Sequence, residues 1–445
     1  MNYENKKVFI YGWARSGRAV ARFLHQKGAQ LFLYTDNPIP ENEVPDYLTV
    51  VDNIDETYDL VVKNPGIFYQ KPILQRAQEL GIEILTEVQV GLDYFKGDVI
   101  AITGSNGKTT TTMLIAQMLK GVSGDQVQVA GNIGKPVTEL LYENADFKTL
   151  VLEISSFQLM GTPRIKPDIA LINNIFASHL DYHGSRENYL EAKKQVFKNQ
   201  DSNDLLVFNA ADPLTSTFVD ELSTKDKAPR IATFSSQNPS VTGAHFENDT
   251  LVFDKQEIIS KADILLKGDA NYQNIAAATT VVMNYNNQAV GSIRSVLRNF
   301  KGAEHRLEFV GTFNGIKVYN DSKATDIEAT QSALQSFPTD QIVWIAGGLD
   351  RGDDLSRLIP DLKQVQTAFV YGQTKDKLVE IAKNAGIQNI AVVENLKDAV
   401  SHAVQIAQNG QVILFSPAAA SWDQFDNFET RGKEFKDTIK EEFSK

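Results

Sequence analysis

The chain has 445 residues, which is too many for a single hydrophobic core and corresponds to two to four domains. Its 56 acidic and 44 basic side chains give a net charge of −12, which argues against a general nucleic-acid-binding or anionic-membrane-binding surface. Cysteine is absent, so disulfides, thiol nucleophiles and cysteine-ligated zinc are excluded. Any metal must then be held by oxygen and histidine ligands, a set that favours Mg²⁺ or Mn²⁺.

The first residues of the chain predict a strand and not a signal peptide. Their apolar run, residues 7–11, stops at Gly12 and is soon followed by Arg15. No apolar segment approaches the roughly 20 residues that a membrane helix needs. We therefore expect a cytoplasmic protein without stable membrane insertion.

The first segment, residues 1–97, alternates strand and helix patterns. It contains strands at 7–11, 30–35 and 60–62 and a helix at 16–26. The turn GWARSG at 12–17 is a GxAxxG relative of the dinucleotide fingerprint, and Asp36 follows the second strand, where a carboxylate can accept from a ribose hydroxyl. The tight turn KNPGI at 63–67 ends the third strand. This order predicts a nucleotide site; the alternative is that the glycines serve only helix–strand packing.

The second segment opens with AITGSNGKTT at 101–110, between a predicted strand at 99–102 and a predicted helix at 109–119. A glycine-rich turn there aims backbone N–H groups at one point, next to the positive end of the helix dipole. Lys108 supplies a cation for the β- and γ-phosphates, and the Thr109 hydroxyl is a Mg²⁺ ligand. The loop departs from the standard GxxxxGK[ST] pattern because Ile102 stands in the place of the first glycine. It still predicts triphosphate binding, and the alternative is an ordinary turn with a surface lysine.

Polar residues follow the next predicted strands, which lie at 127–130, 150–154, 169–174 and 205–209. Glu153 comes after three apolar residues, where many NTPases place a carboxylate for Mg²⁺; the alternative is a capping or surface acid. His179 and His183 have the spacing of a metal pair but no third ligand at zinc spacing. One histidine as a Mg²⁺ or substrate contact is therefore favoured, and the alternative for His183 is a solvated loop residue.

The third segment repeats the alternation, with strands at 316–320, 342–346, 368–371, 391–393 and 412–416 and a helix at 430–442. The whole pattern predicts three consecutive doubly wound α/β domains. They are a Rossmann-like domain at 1–97, a P-loop-type ATPase domain at 98–302 and a Rossmann-like domain at 303–445. Ligand sites are expected at the carboxyl ends of their strands.

Several motifs together resemble the Mur ligases, which add amino acids to the peptidoglycan precursor. In the second segment they are TGSNGKTT at 103–110, GNIG at 131–134, EISSFQL at 153–159, HLDYHGS at 179–185 and YLEAKK at 189–194. In the third segment, GAEHRLE at 302–308 resembles the family's GxxHRxE, and NDSKAT stands at 320–325. The ending SPAAASWDQF at 416–425, followed by NF at 427–428 and RG at 431–432, is similar to the D-glutamate-adding member. A DNPR-type motif, which marks the diamino-acid-adding relative, is absent.

The resemblance implies an ATP-dependent ligase that adds D-glutamate to UDP-N-acetylmuramoyl-L-alanine through an acyl phosphate. The first domain would bind the UDP-substrate, the second ATP, and the third D-glutamate and part of ATP. The implied cofactors are ATP and two Mg²⁺ ions, with Mn²⁺ as the alternative metal. The enzyme would act as a monomer in the bacterial cytoplasm.

The resemblance also assigns roles to residues. The catalytic set would be Lys108, Glu153, His179, Lys193 in carbamylated form, and Lys323. The metal ligands would be Thr109, Glu153, His179 and carbamylated Lys193. ATP would be bound by Gly104, Ser105, Asn106, Gly107, Lys108, Thr109, Thr110, Asn271, Asn274, Arg306 and Asp321. The UDP-substrate would be bound by Gly12, Arg15, Ser16, Gly17, Asp36, Asn37, Asn64, Pro65, Gly66, Asn132 and His179. D-Glutamate would be bound by Lys323, Thr325, Arg351, Ser421 and Phe428, with Arg351 standing where the family often has a lysine.

The choice of Lys193 over Lys194 follows from helical geometry. Successive helical residues point about 100° apart, so only one of the two can face the metals. Tyr189 and Phe197 lie four residues to either side of Lys193, which places it on an apolar stripe. The alternative is that both lysines are solvated.

Three other functions remain open at this level. A folylpolyglutamate synthase would share the loop and the activated carboxylate. A nicotinamide oxidoreductase is suggested only by the 12–17 turn with Asp36. A nucleotide-binding module without activity is the third, and the intact set of Lys108, Glu153, His179 and Lys193 argues against it.

Overall fold

The computed structural model describes residues 2–40, 43–144, 146–176, 180–223, 227–237 and 239–445. The chain forms two compact units, one of residues 1–261 with 273–296 and one of residues 262–272 with 297–445. The first unit contains two parallel sheets and a small antiparallel sheet, and the second contains one mixed sheet. The predicted fold class, three consecutive α/β domains, is confirmed, whereas the exact domain boundaries stay a prediction.

The first sheet is parallel and has the strand order β3-β2-β1-β4-β5. Its strands are β1 (Lys7–Tyr11), β2 (Gln30–Tyr34), β3 (Leu48–Val50), β4 (Leu60–Lys63) and β5 (Glu83–Leu85); its helices are α1 (Arg15–Gln26), α2 (Pro72–Glu79) and α3 (Glu87–Tyr94). Alternate residues of β1 enter separate cores: Val8 and Ile10 pack on one face, and Phe9 and Tyr11 on the other. Burial of both faces explains why β1 is an unbroken apolar run.

The second sheet is also parallel, in the order β11-β10-β9-β6-β8-β7. Its strands are β6 (Asp98–Thr103), β7 (Val127–Gly131), β8 (Thr149–Glu153), β9 (Ile169–Ile172), β10 (Leu205–Asn209) and β11 (Arg230–Phe234); its helices are α4 (Lys108–Ser123), α5 (Val137–Glu143), α6 (Ser156–Met160), α7 (Leu180–His183), α8 (Arg186–Lys194) and α9 (Pro213–Ser223). Because β6 pairs with both β8 and β9, the segments that follow these three strands meet at one edge of the sheet.

A three-stranded antiparallel sheet follows, which the sequence pattern does not anticipate. It consists of β12 (His245–Glu247), β13 (Thr250–Phe253) and β14 (Gln256–Ser260), and α10 (Asp269–Tyr285) and α11 (Val290–Asn299) come after it. Each hairpin turn has two residues at positive φ, Asn248 with Asp249 and Asp254 with Lys255. Such turns match the twist of paired strands.

The third sheet has the order β15-β16-β20-β17-β18-β19, with β15 antiparallel to β16 and the other pairs parallel. Its strands are β15 (Glu308–Phe313), β16 (Ile316–Asn320), β17 (Ile342–Gly347), β18 (Val365–Tyr371), β19 (Asn389–Val392) and β20 (Val412–Phe415); its helices are α12 (Ile327–Gln335), α13 (Lys375–Asn384), α14 (Leu396–Ile406) and α15 (Phe428–Glu442). Alternation along β17 again feeds two cores, with Trp344 on one face and Ile345 on the other.

No helix in the described part of the chain combines the length and the apolar character that crossing a bilayer requires.

Within the first unit, α3 of the first sheet packs on α5 of the second through a buried carboxylate. Glu87 accepts hydrogen bonds from the backbone N–H and the hydroxyl of Thr138, the latter at 2.7 Å. Burial is the main cause that raises the pKa of Glu87 to about 7, and the bonds from Thr138 oppose it. The protonated carboxyl is therefore the form that the folded chain favours.

This carboxyl makes stability depend on pH in a defined direction. Its folded pKa lies above the unfolded value, so the folded state is penalised as pH rises from about 4.5 to about 7 and carries the full penalty above that. We expect Glu87→Gln, which keeps an acceptor for Thr138, to raise the free energy of unfolding at pH 8 by roughly 1 to 3 kcal/mol relative to its effect at pH 5. Urea unfolding of both proteins at the two pH values measures this, and an equal effect at both would contradict it.

Candidate active site

The turn between β6 and α4 has the geometry of an anion cradle. Gly104 and Gly107 have φ values of +142° and +77°, conformations that glycine adopts without a steric penalty. A Cβ at position 107 would lie 2.1 Å from Asn274 Oδ1. Helix α4 begins at Lys108 directly after the turn, so its free N–H groups and positive dipole end face the cradle.

The segment after β9 holds this turn in place. Ser105 N donates to Asn174 O at 2.9 Å, and Asn106 N donates to Asn174 Oδ1 at 2.8 Å. Asn173 Nδ2 donates to the Thr111 hydroxyl at 2.8 Å. The turn is thus a fixed backbone shape and not a free loop.

The side chains that follow the turn are those that the sequence assigns to phosphate and metal. Lys108 Nζ donates to Gly104 O at 2.9 Å and to Ser105 O at 2.8 Å, so the cation lies over the turn. Thr109 and Thr110 are buried in the first turn of α4.

Glu153 lies at the end of β8, beside β6, as a buried carboxylate that is 1% exposed. Its Oε1 accepts from Asn132 Nδ2 at 2.9 Å. Its Oε2 is buried and has no hydrogen-bond partner among the described residues. An unpartnered carboxylate oxygen is costly to bury, and a hard cation is the ligand that offsets this cost.

Lys193 and Lys194 of α8 have opposite surroundings. Lys193 is 2% exposed, and its Nζ donates to Thr103 Oγ1 at 3.0 Å and to Gly104 O at 2.9 Å. Burial, with Lys108 adding to it and Glu153 opposing it, holds the pKa of Lys193 well below its usual value. Lys194 instead forms ion pairs with Glu191 at 2.9 Å and Glu221 at 2.7 Å. Lys193 is therefore the lysine at the rim of the turn, and its carbamylation stays a prediction.

The two histidines cannot be treated alike. His179 lies outside the described residues. His183 is buried and not solvated, because its Nε2 is 2.9 Å from the Ser156 hydroxyl and its ring stacks on Phe157. In the described ranges, no group of three or more His, Asp or Glu side chains could hold a metal ion. Of the predicted Mg²⁺ ligands that are described, Thr109 lies in the first turn of α4 and Glu153 at the end of β8, and oxygen donors of this kind fit Mg²⁺. Lys193 would add oxygen donors only in its carbamylated form.

The first predicted UDP-substrate turn is closely packed. A Cβ at Gly17 would lie 2.1 Å from Gly12 O, so no other residue fits there without a shift of the backbone. Arg15 donates to Gly134 O at 3.0 Å and pairs with Glu139 at 3.0 Å, which links α1 to the GNIG segment. Ser16 lies in the first turn of α1.

The other predicted UDP-substrate residues of the first sheet follow β2 and β4, the two neighbours of β1, whereas Asn132 follows β7 of the second sheet. Asp36 accepts from the Tyr11 hydroxyl at 2.7 Å and pairs with Lys71 at 3.1 Å; the bond from Tyr11 is the largest cause that lowers the pKa of Asp36. Asn37 O accepts from the Thr35 hydroxyl. The segment Asn64, Pro65 and Gly66 forms a turn in which Asn64 Oδ1 accepts from Gly66 N at 3.3 Å. The predicted UDP-substrate residues of segment 1–97 therefore all lie at the carboxyl end of this sheet.

In the second unit, the predicted D-glutamate residues follow adjacent strands. Lys323 Nζ lies 5.0 Å from the centre of the Phe428 ring, and Arg351 donates to Thr325 O at 2.6 Å. Leu349 N donates to Ala420 O at 2.8 Å, which draws the segment of Arg351 towards the segment that carries buried Ser421.

Of the remaining predicted ATP residues, three belong to the second unit and Asn274 belongs to the first. Asp321 is buried and accepts from Leu307 N at 2.9 Å and from the Ser416 hydroxyl at 2.8 Å; burial raises its pKa to about 7. The Arg306 Nε atom is buried and lacks a hydrogen-bond partner within the described chain. Asn271 donates to Lys267 O at 2.8 Å. Asn274 lies behind the phosphate turn, where its Oδ1 accepts from Asn173 at 3.3 Å.

Sequence reasoning missed the role of Arg431, which is fully buried in α15. Its guanidinium donates to Ser322 O at 2.8 Å, Ala419 O at 3.0 Å and Gly347 O at 3.3 Å. It therefore ties together the ends of β16, β20 and β17, where the D-glutamate set lies. The available signal is its place four residues before the core residue Phe435.

Comparison with known proteins agrees with this geometry. Residues 102–282 match the Mur ligase middle domain, and residues 305–419 match the Mur ligase glutamate ligase domain. The chain belongs to the Mur ligase family and is an enzyme of the ligase class.

Relatives within this family are similar to the chain over almost its whole length. It is 50% identical over 446 residues to the UDP-N-acetylmuramoylalanine–D-glutamate ligase of Oenococcus oeni, covering 99% of this chain and 98% of the relative. It is 47% identical over 455 residues to the ligase of the same name from Leuconostoc citreum, again covering 99% and 98%. Among solved structures, it matches the UDP-N-acetylmuramate–alanine ligase of Thermotoga maritima with a TM-score of 0.61 and 19% identity, covering 99% of this chain and 100% of that one. The last match shows a common fold.

Proposed function

We propose that this chain joins D-glutamate to UDP-N-acetylmuramoyl-L-alanine at the expense of ATP, in bacterial peptidoglycan synthesis. The observation that carries the proposal is the cluster at the turn after β6: Lys108 over the turn, buried Lys193 bonded to Gly104, and Glu153 with an unpartnered oxygen. The name shared by the full-length relatives supports the choice of substrates.

The chemistry needs an activated carboxylate, because a carboxylate and an amine do not condense at neutral pH. A carboxylate oxygen of the L-alanine residue attacks the γ-phosphorus of ATP, the bond to the β,γ-bridging oxygen breaks, and ADP leaves. The neutral amine of D-glutamate then attacks the acyl-phosphate carbonyl, losing a proton, and inorganic phosphate leaves. Both steps bring charged groups together, so positioning and charge stabilisation supply most of the catalysis.

The residues of this chain supply those two contributions. The N–H groups of residues 104–107 and the start of α4 bind phosphate oxygens, and Lys108 neutralises charge on them. Thr109 and Glu153 would hold one Mg²⁺, and Glu153, His179 and the carbamate of Lys193 would hold a second. When bound, these ions would supply Lewis-acid stabilisation for phosphate and carboxylate oxygens. Asn132 orients the substrate from its bond to Glu153.

The second unit supplies the amino-acid site in this proposal. Lys323 and Arg351 are cations near Thr325 and Phe428 and match the two carboxylates of glutamate. Arg306, Asp321 and Asn271 are the residues of the same unit that the proposal assigns to ATP. We also propose domain boundaries at 97/98 and 302/303, and a monomeric enzyme. The reaction would take place in the cytoplasm, because its substrates are ATP and a UDP-linked sugar.

The test is the release of inorganic phosphate with UDP-N-acetylmuramoyl-L-alanine fixed and the amino acid varied. We expect D-glutamate to support release, and L-glutamate, L-lysine and meso-diaminopimelate to give at most a few per cent of that rate. L-Lysine working as well as D-glutamate would overturn the proposal. Phosphate release with a folate in place of the UDP-substrate would favour a folylpolyglutamate synthase, and a change in NADH absorbance on mixing would favour an oxidoreductase.

A further inference from the structure

Lys63, at the end of β4, is a lysine enclosed by the protein. It is 1% exposed, and its Nζ lies 4.5 Å from the centre of the Tyr69 ring. It donates to Ile67 O at 2.8 Å and to Pro65 O at 3.0 Å. It also donates to the Tyr182 hydroxyl at 3.1 Å. Asn64 O lies farther from the Nζ, at 3.4 Å. An ammonium group has three donors, so the three shorter contacts account for them.

Burying this ammonium group without a carboxylate partner costs free energy of folding, and packing at this position could be achieved without that cost. No carboxylate of the described residues lies within ion-pair distance of Lys63, and burial alone lowers its pKa to about 7. An apolar side chain of the same length would avoid the desolvation cost. The lysine is thus retained for the bonds that it makes.

Those bonds decide which way the turn after β4 faces. In a planar trans peptide, the C=O of one residue and the N–H of the next point in opposite directions. Because Pro65 O points at Lys63, the N–H of Gly66 points away from it. The acceptor of that N–H within the chain is Asn64 Oδ1, at a long 3.3 Å. The Gly66 N–H is therefore directed outward, and a donor on the carbonyl of the same peptide polarises it.

Tyr182, which lies in helix α7 beside the second sheet, contacts the same two carbonyl oxygens as Lys63. Its hydroxyl lies 3.0 Å from Pro65 O and 3.0 Å from Ile67 O, and its single proton bonds one of them at a time. Its ring packs on Phe157 with centroids 4.4 Å apart, which fixes the hydroxyl. The turn is clamped by two donors that lie in different layers of the first unit.

We propose that Lys63 is a positioning residue for the UDP-linked substrate, fixing the turn of residues 64–67 so that the Gly66 N–H is presented to the substrate's diphosphate. Lys63 itself does not touch the substrate. Tyr182 is its partner in this clamp. The inference rests on the proposed function, because it takes the diphosphate as the group that the turn receives.

The experiment compares Lys63→Met and Tyr182→Phe with the unmodified chain. Both remove a donor to the turn and keep apolar bulk. Lys6→Met is the matched control, because the side chain of Lys6, next to β1 of the same sheet, forms an exposed ion pair with Asp59. Titration calorimetry measures the Kd of UDP-N-acetylmuramoyl-L-alanine and of ATP separately, and thermal unfolding checks that each variant is folded.

We expect Lys63→Met to raise the Kd of the UDP-substrate by about 10- to 100-fold and Tyr182→Phe by about 5-fold, with the Kd of ATP within twofold of the unmodified value. Lys6→Met should change neither. Equal weakening of both ligands would show general loosening and overturn the inference, as would an unchanged Kd in both variants. If Lys63→Met does not fold, Tyr182→Phe decides by the same criteria. Failure of the unmodified chain to bind the UDP-substrate would overturn the proposed function itself, and the inference with it.

Discussion

Lys193→Ala is expected to lower D-glutamate-dependent phosphate release by on the order of 10³-fold. The Nζ of Lys193 is buried against Thr103 and Gly104, at the rim of the phosphate turn, and burial lowers its pKa, which favours the unprotonated amine that reacts with carbon dioxide. The resulting carbamate would supply an anionic oxygen ligand beside the turn. Alanine removes that ligand and leaves the backbone of the turn in place.

Lys194→Ala is the matched control, since Lys194 has the same length and lies next in sequence but pairs with Glu191 and Glu221. It should keep most of the activity. A short carboxylic acid in the assay should partly restore Lys193→Ala and leave Lys194→Ala unchanged, because the acid can supply the missing oxygens. Near-normal turnover of Lys193→Ala without added acid would exclude the carbamate role.

The strands that the sequence predicts well are those buried on both faces. In β1, β6 and β17 the apolar run itself identifies the strand, and the observed bounds lie within a residue or two of those predicted. The short strands β3 and β5 and the hairpins of β12–β14 are not predicted, because most of them have at most two successive apolar residues, and the three of β13 stand between polar turn residues. They form because neighbouring strands and two-residue turns of positive φ supply pairing partners, which a local pattern does not record.

The candidate site divides in the same way. The positions of Gly104, Lys108 and Glu153 could be predicted, because each follows or ends an apolar strand at the edge where parallel sheets bind ligands, whereas their roles stay a prediction. Lys63 and Arg431 could not, since their function depends on carbonyl groups that only the folded chain brings near. A buried cation bonded to backbone oxygens leaves no partner residue to find in the sequence. The alternative that His183 is a solvated loop residue is excluded by contacts that the sequence does not show, since Ser156 and Phe157 pack against its ring.

Glu153→Gln is expected to lower turnover by roughly 10²- to 10³-fold and to leave the fold intact. Glutamine keeps an oxygen that accepts from Asn132 and has almost the same volume, so packing at the end of β8 is preserved. What it removes is the negative charge on Oε2, the buried oxygen for which the described chain supplies no donor. Because that charge is what a hard cation requires, the Mg²⁺ concentration for half-maximal activity should rise as turnover falls.

Glu143→Gln serves as the matched control, because Glu143 is a half-exposed acid paired with Lys135 on the surface. It should change neither the Mg²⁺ dependence nor turnover, since exposed ion pairs contribute about 1 kcal/mol or less. Thermal unfolding of both variants should lie within a few degrees of the unmodified chain, which separates loss of the ligand from loss of the fold. Normal turnover of Glu153→Gln at saturating Mg²⁺, with an unchanged Mg²⁺ requirement, would mean that Glu153 is a structural acid at a strand end and that the metal lies elsewhere.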